Sequence, residues 1–95
     1  MTTLKSAILW PVCYDCGTTQ TPIPTAPADG KEFSLLEIQA MVHGYVELLT
    51  LDDGTIMLFN EDGRMKNFKY NAPASLIAKT ELVGNVLHCL PKQFP

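Results

Sequence analysis

Nothing in this chain of 95 residues approaches the run of about 20 apolar residues that a membrane-spanning helix needs. A basic segment followed by an apolar one is also missing at the start, so no secretory signal is expected. Charged residues make up only 18% of the chain against 46% hydrophobic ones, which excludes a self-repelling disordered polymer. A formal net charge of −3 speaks against general coating of nucleic acid or membrane. Three cysteines are an odd number, so a disulfide framework is not expected. There is no serine–histidine–acid order, no pair of histidines at helical metal-binding spacing, no Gly-Lys phosphate loop and no internal repeat. Without a nucleophile–base pair to start from, the expectation is a protein that is not an enzyme and carries no cofactor.

What is present fits a single α+β domain spanning 1–95. Ala7-Ile8-Leu9-Trp10-Pro11-Val12 has strand length, and Pro11, which cannot donate to a ladder, puts its end at an edge or a bulge. Residues 13–32 are proline-rich and read as an extended arm or loop. Ser34 and Glu37 form a capping box, and Phe33 and Ile38 stand where a hydrophobic staple needs them. Leu35, Ile38 and Val42 then repeat at helical spacing up to Gly44, the expected left-handed cap, which predicts a helix over 35–43.

Two β-rich runs, 45–51 and 55–59, flank Asp52-Asp53-Gly54 and predict a hairpin with a three-residue turn. The segment 64–70 reads as a third short strand or an extended loop. Asn71-Ala72-Pro73 opens a short second helix, and 82–90 reads as the last strand, with Gly84 a bulge or a close approach. The fold expected is a small antiparallel sheet packed on one main helix, with one short helix besides. Its core is expected to hold Leu35 or Leu36, Ile38, Val42, Val46, Leu48, Ile56, Leu58, Val86 and Leu87.

Charge is unevenly placed. Residues 31–63 carry Lys31 against Glu32, Glu37, Glu47, Asp52, Asp53, Glu61 and Asp62, whereas 64–95 carry Arg64, Lys66, Lys69, Lys79 and Lys92 against Glu81 alone. This is either two solvated faces or a self-complementary surface through which copies of the chain assemble. Arg64, Lys66 and Lys69, with Asn71 and the following helix start, are the candidate anion-binding group. Tyr70 and Tyr45 are available to stack on a base. The competing reading of the same lysines is a solvated basic edge that blocks aggregation.

Cys13-Tyr14-Asp15-Cys16-Gly17 has the spacing at which two thiolates grip zinc, but a closed site needs two further ligands. His88 and Cys89, adjacent on a strand, would point to opposite faces, and His43 is distant. His43 itself suits the last turn of its helix, where a cation is favoured. Free thiols without metal are therefore expected, with Cys13 and Cys16 as the alternative zinc pair.

Several blocks between residues 33 and 89 carry a family resemblance. They are the helix leading into Val42-His43-Gly44-Tyr45-Val46-Glu47, the hairpin, Asn60-Glu61-Asp62-Gly63-Arg64-Met65-Lys66, Asn71-Ala72-Pro73 and Leu82-Val83-Gly84-Asn85-Val86-Leu87. In this order they resemble a small domain-of-unknown-function family found in phages, prophages and mobile elements. The chain departs from that pattern at His43 and across Asn67-Phe68-Lys69-Tyr70. The resemblance implies a phage accessory protein acting in the host cytoplasm, without an assigned reaction. Two functions then compete. One is a homo-oligomer that sequesters a small phosphate-bearing nucleotide signal of a host defence. The other is an inhibitor that binds a host defence enzyme or a nucleic-acid-processing complex. A stable symmetric oligomer would favour the first and a clean monomer the second.

Overall fold

Two clusters of apolar side chains lie on opposite faces of one five-stranded antiparallel sheet in a computed structural model that describes residues 7–12 and 21–95. The strands are β1 (Ala7–Trp10), β2 (Ile23–Thr25), β3 (Val46–Thr50), β4 (Ile56–Asn60) and β5 (Val86–Cys89). Their order across the sheet is β2-β1-β5-β4-β3. The helices are α1 (Leu35–Val42) and α2 (Ala72–Ala78), and a short 3-10 turn, Pro91–Gln93, follows β5. The fold is a single-domain α+β fold, as the sequence predicts.

Helix α1 begins where the capping box requires. Ser34 Oγ accepts from the Glu37 N–H at 3.1 Å, and Glu37 Oε1 accepts from the Ser34 N–H at 2.8 Å. The second oxygen of Glu37 accepts from the Ala28 N–H at 3.0 Å. These backbone donors hold the carboxyl below the usual glutamate range. Phe33 and Ile38, the staple pair, are both fully buried in the cluster beneath α1 with Ala7, Ile56, Leu58, Leu87 and Cys89.

The other end of the helix differs from expectation by one residue. His43, not Gly44, takes the left-handed cap (φ 64°). Gly44 has φ 153°, and a Cβ there would lie 2.7 Å from Asn60 Nδ2. Its smallness serves close approach: Asn60 Nδ2 donates to the Val42 and His43 carbonyls, closing the helix end.

The hairpin forms as predicted, with the Leu51 N–H donating to the Thr55 carbonyl at 2.8 Å and Gly54 left-handed at φ 87°. Its second strand is covered on both sides. Ile56 and Leu58 face α1, while Met57 and Phe59 face α2 together with Ala74, Leu82, Val86 and Trp10. Val86 thus belongs to the second cluster and not, as expected, to the first. Leu35 and Leu36 are also corrected: both are exposed, Leu36 on the helix side opposite Ile38. Leu48 is 41% exposed on the outermost strand.

Two further differences concern loops. The sequence reads 13–32 as an extended arm or loop, and within its described part Ile23–Thr25 is a strand, β2, paired with β1 through Ala7↔Thr25, Ile8↔Pro24 and Leu9↔Ile23. The last strand is shorter than 82–90, because Gly84 turns left-handed before β5 and packs against Phe68. Burying side chains the size of Met57 or Leu58 contributes about 1.5–3 kcal/mol each, so the unpredicted second face matters to stability as much as the predicted one.

Candidate functional site

The basic segment does not run extended. After β4, Asn60 Oδ1 accepts from the Asp62 N–H, and the chain coils through consecutive turns. The Lys66 N–H donates to the Asp62 carbonyl at 3.0 Å, and the Phe68 N–H to that of Gly63 at 2.9 Å. The strand-like alternation that would set Arg64 and Lys66 on one face is therefore replaced by a compact loop.

Arg64 turns back onto the strand-leading segment ahead of β5. Its Nη2 donates to the Glu81 carbonyl at 3.1 Å and pairs with the Glu81 carboxylate at 3.3 Å. Both side chains are exposed, so the pair contributes little to stability. It does define one wall of a cleft of about 290 Å³ bounded by Glu47, Leu49, Phe59, Met65 and Leu82. Glu61 also lines this cleft. A paired arginine among glutamates does not make a cradle for phosphate.

Lys66 lies elsewhere. A Cβ on Gly44 would come within 3.3 Å of Lys66 Nζ, so the ammonium stands over the carboxyl end of α1, where the helix dipole favours a cation. Its Nζ is also 6.0 Å from the Phe68 ring centre, at the outer limit of a cation–π contact. Lys66 and Tyr45 line a shared concavity of about 390 Å³ with Leu36, Gln39 and Ala40. They are the one pair of predicted ligand residues on a common surface feature.

Tyr70 is exposed and makes an isolated bridge with Val83, beside Leu76 and Lys79 on the α2 surface. The Lys69 side chain is exposed, and its carbonyl accepts from the Gly84 N–H at 2.7 Å. Asn71 is fully buried. Its Nδ2 donates to the Trp10 and Gly84 carbonyls at 2.8 Å each, while Oδ1 accepts from the Ala74 N–H as the cap of α2. All of its hydrogen-bonding capacity in view is thus directed inward, joining β1, α2 and the Gly84 turn. Apart from Lys66 and Tyr45, which share a concavity, Arg64, Lys69, Tyr70 and Asn71 are distributed over separate features of one subunit.

Sequence reasoning passed over a buried polar chain. Asp53 Oδ1 accepts from the Thr55 N–H at 2.9 Å and from Thr55 Oγ1 at 2.6 Å, and Thr55 Oγ1 lies 2.8 Å from His88 Nε2. The threonine hydroxyl has one proton, given to the carboxylate, so His88 must donate through Nε2–H. Its Nδ1 is then an unprotonated acceptor, buried without a hydrogen-bond partner. Burial pushes the His88 pKa down, opposed by the nearby Asp53 charge, while the Thr55 bonds hold Asp53 below the usual range. Acid, hydroxyl and imidazole in line resemble a nucleophile-activating set, but Thr55 is buried and no substrate can reach it. The only local signal was Asp-x-Thr in a hairpin turn, a common turn-closing pattern.

His88 and Cys89 do face opposite sides of the sheet: His88 pairs with Met57, while Cys89 lies in the cluster under α1. Burial pushes the Cys89 thiol up to about 11. Cys13 and Cys16 lie outside the described residues. Among the described residues no group of three metal-ligating side chains occurs, and no helix is long and apolar enough to cross a membrane. No family model, no curated protein and no solved structure matches the chain.

Proposed function

We propose that this domain acts by non-catalytic binding to another protein, as an inhibitor or adaptor of phage-accessory type. One observation carries the reading: several large apolar side chains stand well out into solvent. Met65 is 85% exposed, Leu76 82% and Leu36 77%, with Tyr45 near Leu36 and Tyr70 near Leu76. Such residues enrich protein-binding surfaces, and their burial on contact supplies favourable free energy. The test is a photo-crosslinking residue placed at Leu76 or Met65, compared with one at Asp29, in cells expressing the protein. One dominant adduct from the apolar positions, lost in a Leu76→Glu, Met65→Glu variant, is expected. Equal labelling from all positions would remove the reading.

A second reading, sequestration of a small phosphate-bearing nucleotide by an assembly of subunits, is favoured by the meeting of Lys66 and Tyr45 in one concavity. A cation beside an aromatic face is a workable grip on a base-plus-phosphate ligand. Calorimetric titration with a panel of cyclic and linear nucleotides tests it. Heat that disappears in Lys66→Ala and in Tyr45→Ala is the expected result, and silence across the panel rejects it.

A further inference from the structure

We infer that β3 is a dimerisation strand: its free edge pairs antiparallel with β3 of a second copy, about a two-fold axis at Leu48. The strand order leaves two edges, β2 and β3, and they are built differently. The centre of β2 is Pro24, which has no N–H to offer, with Pro22 and Pro27 close by. This is the guarding expected of an edge that must stay unpaired.

Strand β3 has no such guard. It is five residues long, contains no proline or lysine, and its one charge, Glu47, faces the α2 side of the sheet opposite Phe59. The Leu51 N–H donates to Thr55 and the Glu61 N–H to Tyr45, which fixes the odd-numbered residues of this stretch as those whose main chain faces β4. The N–H and C=O groups of Val46, Leu48 and Thr50 consequently point out of the sheet. Among the described residues no side chain or backbone group bonds them.

The sequence Val46-Glu47-Leu48-Leu49-Thr50 is self-complementary when paired with itself. A two-fold at Leu48 sets Leu48 against its own copy, Val46 against Thr50, and Glu47 against Leu49. Every outward N–H and C=O of both strands is used, Leu48 opposes its own aliphatic copy at the centre, the β-branched Val46 and Thr50 oppose each other, and no carboxylate opposes a carboxylate. Leu48 adds its half-exposed side chain to the contact on the α1 side. Because the far edge of each sheet is blocked at Pro24, addition stops at two copies and yields a closed dimer with a continuous sheet, not a filament.

Amide hydrogen exchange read residue by residue, alongside sedimentation equilibrium, tests this on the full chain. At concentrations where the mass is twice that of one chain, the Val46, Leu48 and Thr50 amides should be protected. On dilution they should lose protection together while Glu47 and Leu49 keep theirs. Leu48→Lys should give one chain mass and free exchange at the three even positions. Thr50→Lys serves as an independent variant, and the wild-type dilution series needs neither. A monomer at every concentration, or a dimer in which these three amides exchange freely, overturns the inference. So does protection that appears only when a different protein is added, which would assign the edge to another chain.

Discussion

Thr55 and His88, 33 positions apart in the chain, are joined by a 2.8 Å hydrogen bond between hydroxyl and imidazole, and Asp53 completes the chain at the solvent end. The imidazole is held neutral with a bare Nδ1, so protonating it would place a charge and an unsatisfied proton among buried atoms.

Stability should therefore fall on mild acidification. The folded pKa of His88 lies below the ordinary 6.5, so between those values the unfolded chain binds more protons than the folded one. The His88 contribution is fully present above about pH 6.5 and is lost as pH falls through the folded value. Urea midpoints measured from pH 7.5 down to 5 should decline, and His88→Gln should flatten that decline while lowering the plateau.

Asn71→Ala should be among the most damaging single substitutions. It removes the cap of α2, about 1 kcal/mol, and leaves the Trp10 and Gly84 carbonyls without their donor, about 1–3 kcal/mol more. Asn71→Asp keeps the cap acceptor but not the donor, so it should also destabilise. Chemical denaturation of both variants checks the split.

Two glycines with positive φ should respond unequally to alanine. At Gly54 a Cβ meets nothing within 4 Å, so only backbone strain of about 1–2 kcal/mol is expected. At Gly44 the same Cβ falls 2.7 Å from Asn60 Nδ2, which must release the Val42 and His43 carbonyls to make room. Thermal melts of the two variants should place Gly44→Ala clearly below Gly54→Ala.

Cys89 should resist alkylation in the folded protein. Its thiol is fully buried and raised to about 11, so almost none is thiolate at neutral pH. Peptide mapping after iodoacetamide treatment should show modification of Cys89 only once denaturant is added.

Much of the fold was legible because its signals are local. Ser34, Glu37, Phe33 and Ile38 specify the start of α1 within six residues, and Asp52-Asp53-Gly54 specifies the hairpin. The second face of β4 was not legible, since Ile56 to Phe59 is an unbroken apolar run whose periodicity cannot say that both sides are covered. Nor could spacing show that Ile23-Pro24-Thr25 would pair with β1 at a sheet edge, because proline-rich sequence argues against a strand. The proposed site suffered most. Reading Arg64 and Lys66 as neighbours assumed an extended backbone, and the turns from residue 61 to 67 send one to Glu81 and the other to the end of α1.

The position of β5 has a kinetic consequence. It lies in the middle of the sheet, yet it follows every other strand along the chain, and β1 and β2 join the hairpin strands in the sheet only through it. Contacts such as Val12 to Asn85 close a separation of 73 residues. Each half must wait with an unpaired inner edge until β5 slots between them, so loop closure and not local structure sets the rate. Folding should be slow for a chain of this size, and association of the waiting inner edges, not of the finished molecule, is the hazard to its yield.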